Sequence, residues 1–262
     1  MSEAIAIDAR YKRCREGWSG HLQNCRSRIL EAVGHCSGRN SVVVLGAGAG
    51  HDLPLEQLSA EFRQVVLVDL VFLRPMRKKA EKLGNVRLVE ADVTGFFDLS
   101  PDRRKSFLHS ALSGSPQREM LSPPEIGSGF DLVVSLNLMS QLPVMPLSVA
   151  RELLKEGQEL TSGEERAIAR HLLDDHAIWL RDLGTGQLLV ICDRWHKTLL
   201  EGEQTAKAHA LWDYRLSGQG GVFSEWDWDI APRPELDDRH DVQNVVQCWL
   251  GRAGDLALRE DD

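Results

Sequence analysis

Short runs of Val, Leu and Ile with little polar alternation recur along the chain, each followed by a helical pattern. They are Ser41 to Leu45, Gln64 to Val68, Asn85 to Val89, Phe130 to Leu136 and Gln187 to Cys192. Runs of this kind suit parallel strands buried on both faces. Their alternation with helices predicts a doubly wound α/β sheet. The C-terminal third changes period. Trp226, Trp228 and Ile230 fall on one face of an extended segment, and Glu225, Asp227 and Asp229 on the other. That is a strand with one covered face. Asp241 to Leu250 supplies a partner for it. The expectation is a mostly parallel, seven-stranded sheet with an antiparallel C-terminal edge pair and an added N-terminal helix.

The N-terminal helix is read over Tyr11 to Val33, where Trp18, Leu22, Cys25, Ile29 and Val33 recur at helical spacing. Residues 1–38 therefore read as a helical extension that could act as a lid, and 39–262 as the sheet domain. A second helix opens at Ser162 with a Ser162–Glu165 capping box. Its apolar stripe is Ile168, Leu172, Trp179 and Leu183, and Gly184 ends it. Thr94 to Gly129 carries Pro101, Pro116, Pro123 and Pro124 and reads as partly loop. Connections this long are usually functional or mobile.

Charge and cysteine usage narrow the function classes. The net charge is −8 over 262 residues. Holding nucleic acid by its phosphates needs a concentrated basic surface, so the balance argues against nucleic-acid partners. Five cysteines without a C-x-x-C pair read as reduced thiols of a cytoplasmic protein. Met1 to Arg15 lacks the apolar run of a signal peptide, and no stretch reaches the ~20 apolar residues of a membrane span.

The chemistry-bearing motif follows the first strand: Gly46-Ala47-Gly48-Ala49-Gly50, then His51-Asp52. Glycines at alternate positions allow a tight turn and a close approach of backbone to ligand. The helix expected next would present free N–H groups. Dinucleotide loops need a small residue where this chain has His51, because helix and strand must pack closely there. Asp69 ends the second strand, where a carboxylate can bond ribose hydroxyls. The plain alternatives are a tight turn for the loop, a helix cap for Asp69 and a turn cap for Asp92. His51, His196 and His240 are either general bases or ordinary hydrogen-bonded rings. No H-x-x-x-H spacing is present, so no metal is expected.

The G-x-G-x-G loop resembles motif I of class I, Rossmann-like S-adenosylmethionine-dependent methyltransferases. Glu90-Ala91-Asp92, the strand Phe130 to Ser135 with Asn137 beyond it, and Gly186 to Ile191 resemble later motifs of that family in the same order. The resemblance covers roughly Val42 to Leu250. It implies S-adenosyl-L-methionine as cofactor, held by Gly46, Ala47, Gly48, Gly50, Asp52, Asp69, Leu70, Asp92, Val93 and Asn137. It also implies transfer to a small-molecule or protein acceptor, because the Asn-Pro-Pro-Tyr type signature of amino-methylating enzymes is replaced by Asn137-Leu138-Met139-Ser140. One departure stands out: Val44 occupies the position, two before the first glycine, where the family usually has an acid. Asp52 or the N-terminal helix would have to supply that polar contact. An acceptor pocket is expected from Asn137, Gln141, Asp193, Trp195, His196, Arg233 and His240. Two readings from other classes stand beside it: a cofactor-binding regulatory protein without turnover, and a nicotinamide-dependent oxidoreductase.

Overall fold

The computed structural model describes residues 2–113, 121–154 and 159–260. Helices α1 (Ser2–Arg13) and α2 (Arg15–His35) lead into β1 (Ser41–Leu45). There follow α3 (Leu55–Glu61), β2 (Gln64–Asp69), α4 (Arg74–Leu83) and β3 (Val86–Glu90). Next come α5 (Pro101–Ser113), β4 (Phe130–Leu136), α6 (Val144–Glu152), α7 (Ser162–Leu183) and β5 (Gly184–Leu200). The remainder is almost all strand: β6 (Glu203–His209), β7 (Tyr214–Gly218), β8 (Val222–Ala231), β9 (His240–Arg252) and β10 (Leu256–Glu260).

The main sheet has the order β3-β2-β1-β4-β5-β9-β8. Strands β1 to β5 are parallel. Strand β9 is antiparallel to both β5 and β8, so β8 runs with the core strands. The doubly wound α/β sheet and its antiparallel edge are as expected. The strand count is not: β6 pairs with β5 and makes eight, while β7 and β10 form a separate two-stranded sheet. The reason is that β5 does not stop at Cys192. It continues through Asp193, Trp195 and His196 to Leu200, and a half-exposed strand with mixed polarity carries no apolar-run signal.

Two cores flank the sheet. Val42 and Val44 of β1 face a cluster with Trp18, Ile29, Leu58 and Met76 from α2, α3 and α4. Val43 and Leu45 face Leu173, Leu180 and the β7–β10 side, with Leu216 and Leu256. Alternate residues serve opposite faces, which is why the strand shows no polar alternation.

The N-terminal segment is two helices, not one, broken at Cys14. The apolar stripe is real, with Trp18, Leu22, Cys25, Ile29 and Val33 all buried. It packs on β8 and β5 as a layer of the core, and Trp18 Nε1 donates to Ile230 O at 2.9 Å. The capping box of α7 lies one residue earlier than the sequence pattern suggested. Thr161 and Ser162 both precede a glutamate by three residues, and Thr161 is the one in extended conformation, its Oγ1 accepting from Glu164 N at 3.2 Å. Gly184 ends that helix. The Pro-rich segment contains α5, with Pro101 at its first position, where a missing N–H costs nothing. Pro116 lies outside the described residues. No helix among the described residues is long and apolar enough to cross a membrane.

The contrast between the two N-terminal helices is measurable. Ile29 is fully buried and Ile7 is 51% exposed. Ile29→Ala should cost about 2–5 kcal/mol in urea denaturation, the range for a buried aliphatic truncation. Ile7→Ala should stay within about 0.5 kcal/mol. Equal effects would mean that α2 is not part of the core.

Candidate functional site

The winding reverses between β1 and β4, which are neighbours although β2 and β3 lie to one side and β5 to the other. Open α/β sheets bind ligands at such a reversal, beyond the carboxyl ends of the strands. The glycine loop sits there. Gly46 adopts φ +80°, and a Cβ on it would fall 2.5 Å from Leu136 O of β4. Its requirement for glycine is therefore packing. Gly48 differs. It adopts φ +46°, and the nearest atom to an added Cβ is Asp69 Oδ2 at 3.7 Å. A side chain there would make only ordinary van der Waals contact, with Gly46 O next at 4.0 Å.

Asp69 closes the loop. Gly48 N donates to Asp69 Oδ2 at 2.7 Å. Burial pushes the Asp69 carboxyl up, while the amides of Gly48, Val71 and Leu70 pull it back. Leu70, the next residue, is 59% exposed at this edge, although an aliphatic side chain gains by burial. Asp92 is engaged by its own turn: Thr94 N donates to Oδ1 at 2.9 Å and Phe97 N to Oδ2 at 2.9 Å. Its capping role is thus realised, and it lies beyond the end of β3 beside the buried Val93.

The helix expected directly after the loop begins only at Leu55, behind Pro54. Its free N–H groups are therefore set back from Gly50, with His51 to Pro54 between. That spacing removes the helix-terminal phosphate seat on which dinucleotide loops depend.

Asp52 and Asn137 meet a second group of residues that the sequence reading did not assign to the site. Asn137 holds φ +49° past β4, and its Nδ2 donates to Asp52 Oδ2 at 2.8 Å. The same Nδ2 is 3.3 Å from His21 Nε2. Asn137 Oδ1 is buried without a partner. Burial pushes the half-buried Asp52 up to about 6, against the Asn137 bond and the Arg26 charge. Burial also pushes His21 down to about 3, so the ring is neutral. It stacks on Trp228 at 3.9 Å and 9°.

His21, Cys25 and Asp52 bring ligating atoms within 4.8 Å of one another. The spacing His21-x-x-x-Cys25 on α2 was the available signal. The chemistry does not suit a cation. Trp226 Nε1 can only donate, and it reaches His21 Nδ1 at 3.2 Å. The other ring nitrogen, Nε2, lies 3.5 Å from Cys25 Sγ and 3.3 Å from the Asn137 amide nitrogen, which likewise only donates. Donor groups thus occupy both ring nitrogens, and burial holds the Cys25 thiol well above its ordinary value.

The expected acceptor residues divide. Asp193 is buried and pushed up by burial, and Ser140 Oγ donates to its Oδ2 at 3.3 Å. His196 bonds Asn244 Oδ1 through Nδ1 at 2.7 Å. Trp195 lies under Lys207 Nζ at 3.7 Å. Gln141 sits beside Ser140 in the turn after β4. Arg233 pairs with Asp241 at 2.9 Å and His240 with Asp237 at 2.8 Å, so both hold the β8–β9 connection together instead of converging on Asn137. His51 bonds Asp8 at 3.0 Å and stacks on Tyr11 of α1.

The strand order, with an antiparallel strand between the fifth and the last parallel one, decides the architecture. It is a doubly wound, Rossmann-like α/β sheet with one antiparallel strand inserted before the last. No family model matches the chain, and no curated protein matches it. Among solved structures, the DhpI–SAM–HEP complex is 12% identical, covers 95% of this chain and 94% of that one, and has a TM-score of 0.40. The Burkholderia thailandensis 1,6-didemethyltoxoflavin-N1-methyltransferase is 14% identical over 93% and 86%, with a TM-score of 0.38. The N-methyltransferase NodS from Bradyrhizobium japonicum is 11% identical over 85% and 86%, with a TM-score of 0.33.

The raised Asp52 carboxyl sets a stability test. A carboxyl that ionises at about 6 in the folded chain and near 3.8 otherwise loses stability as pH rises between those values, and the loss is complete above them. Asp52→Asn should therefore be more stable than the parent at pH 7, by about 1–3 kcal/mol. The advantage should shrink toward pH 4. Urea curves of both proteins at the two pH values check it; an advantage that does not change with pH would reject the assignment.

Proposed function

We propose that the chain is a methyltransferase that uses S-adenosylmethionine and acts on a small-molecule or protein acceptor. One observation carries the reading: Asp69 closes the glycine loop through Gly48 N, and no atom crowds Gly48 more closely than the 3.7 Å of that same carboxylate. The residues fit the cofactor at three places. Gly46, Ala47, Gly48 and Gly50 form the cradle, with Asp69 placed for ribose hydroxyls. Leu70 and Asp92, just beyond the ends of the adjacent strands β2 and β3 and with the buried Val93 behind them, would flank the adenine and give the exposed leucine a contact. Asn137 Oδ1 lacks a partner beside Asp52, where the cationic amino-acid end would sit.

When bound, this cofactor supplies a methyl group already activated on sulfur. The chain's own residues must position and enclose. Asp52 would become ionised against the incoming positive charge, supplying the acidic contact that Val44 does not. A proton acceptor is needed only for an acceptor molecule that keeps its proton. His51 and His240 are held by carboxylates. His196 donates from Nδ1 to Asn244, which leaves Nε2 able to take a proton.

The lid belongs to α1. Asp8 and Tyr11 grip His51 beside the glycine loop, and Arg13 reaches Glu235 of the β8–β9 connection at 2.6 Å. One short helix thus spans two walls of the carboxyl edge through surface ion pairs, which are weak and screened by salt. Hydrogen exchange over residues 2–13 should slow when S-adenosylhomocysteine is added; exchange indifferent to it would leave α1 as surface packing.

Calorimetry tests the cofactor itself. S-adenosylhomocysteine should bind and NAD should not. Affinity should fall as pH drops below about 6, because protonated Asp52 must release its proton to pair with the ligand. Asp69→Ala should weaken binding by roughly 1.5–3 kcal/mol while the chain stays folded. Heat from NAD alone would reverse the assignment, and binding without transfer to any acceptor would favour a regulatory protein of the same fold.

A further inference from the structure

A separate groove of about 480 Å³ lies on the face of β8 and β9 turned away from α2, walled by the β7–β10 sheet. Its position follows from strand alternation: Trp226 turns to His21 on α2, so Phe223 and Glu225 turn the other way. Arg194, Arg215 and Arg259 line it, with Glu225 as the one carboxylate. Arg194 Nη1 meets Glu225 Oε1 at 2.8 Å. Arg215 and Arg259 stand directly opposite each other in the antiparallel register of β7 and β10. In a chain of net charge −8, composition does not force three guanidiniums into one groove.

The floor is built. Gln247 is 6% exposed; its Oε1 accepts from Leu216 N at 3.2 Å, and its Nε2 lies 3.7 Å from Cys192 Sγ. This fixes β7 against the main sheet and holds Arg215, one residue before Leu216, at the lip. Ser217 and Ser224 add hydroxyls to the lining, and the Phe223 ring stands 51% exposed beside them.

We propose that this groove binds a phosphomonoester whose organic part is flat and apolar. Arg215 and Arg259 would take the phosphate oxygens through paired N–H groups, the geometry in which guanidinium is strongest. Phe223 would cover the apolar part. Nothing in this depends on the methyl-transfer reading, since the glycine loop contributes no residue to the groove.

Titration calorimetry with phenyl phosphate, run beside inorganic phosphate, tests it. Phenyl phosphate should saturate, bind more tightly than inorganic phosphate, and weaken as salt rises. Arg215→Gln and Arg259→Gln should each weaken it about tenfold or more, the loss of a charged hydrogen bond. Phe223→Ala should bring phenyl phosphate to the level of inorganic phosphate. Without ligand, Arg259→Gln should melt close to the parent, because the side chain is exposed; this separates lost binding from lost folding. Saturating S-adenosylhomocysteine should leave phenyl phosphate binding unchanged. No saturable heat, or equal affinity in parent and both arginine variants, overturns the proposal. Competition by S-adenosylhomocysteine would place the phosphate at the glycine loop and overturn it as well.

Discussion

The carboxyl edge of the sheet depends on how closely β1 approaches β4. At Gly46 there is no room for a side chain, because Leu136 O occupies the place of a Cβ. The backbone turns there at positive φ while Gly46 N stays bonded to Val68 O at 2.9 Å. The turn therefore remains tied to β2 and is carried across it, and Gly48 N arrives at Asp69. A carboxylate at the end of β2 then sets the loop's shape without a helix terminus behind it. One steric contact between neighbouring strands thus fixes where the loop turns.

Beside that loop the chain places polar groups where burial opposes charge. His21 is kept neutral between Trp226 and Trp228, and Asp52 is kept at the edge of ionisation. Such groups cost stability in the isolated fold and are retained where they do something else. The indole of Trp226 has a particular part in this, since it donates to Nδ1 of His21 and fixes the ring whose far edge faces Asn137.

Much of the fold was legible because strands buried on both faces must be apolar throughout. Glycine, Asp69 and Asn137 were legible because turns and strand ends admit few residue types. What escaped did so for physical reasons. Trp226 and Trp228 show the same alternation whether they pack or hold a hydrogen bond, and only the arrival of α2 distinguishes the two. His21 sits in an apolar stripe, so its period marks it as buried but not as partnered. The outer half of β5 is wetted on one side and reads as loop until β6 and β9 are seen to pair with it. Arg215 and Arg259 belong to short strands far apart in sequence, and their confrontation exists only in the register of the pair.

The placement of β9 between β5 and β8 also dictates an order of assembly during synthesis. Strand β8 leaves the ribosome before β9, yet it has no sheet partner until β9 appears. The Trp226 and Trp228 face that α2 requires is likewise more than two hundred residues downstream of Trp18. Until then the nascent chain exposes the apolar stripe of α2 and the unpaired edge of β5. Contacts of such long sequence separation form slowly, and open strand edges invite association with other chains. Yield in the cell should then depend on chaperones that hold the growing chain until its last long strand is released.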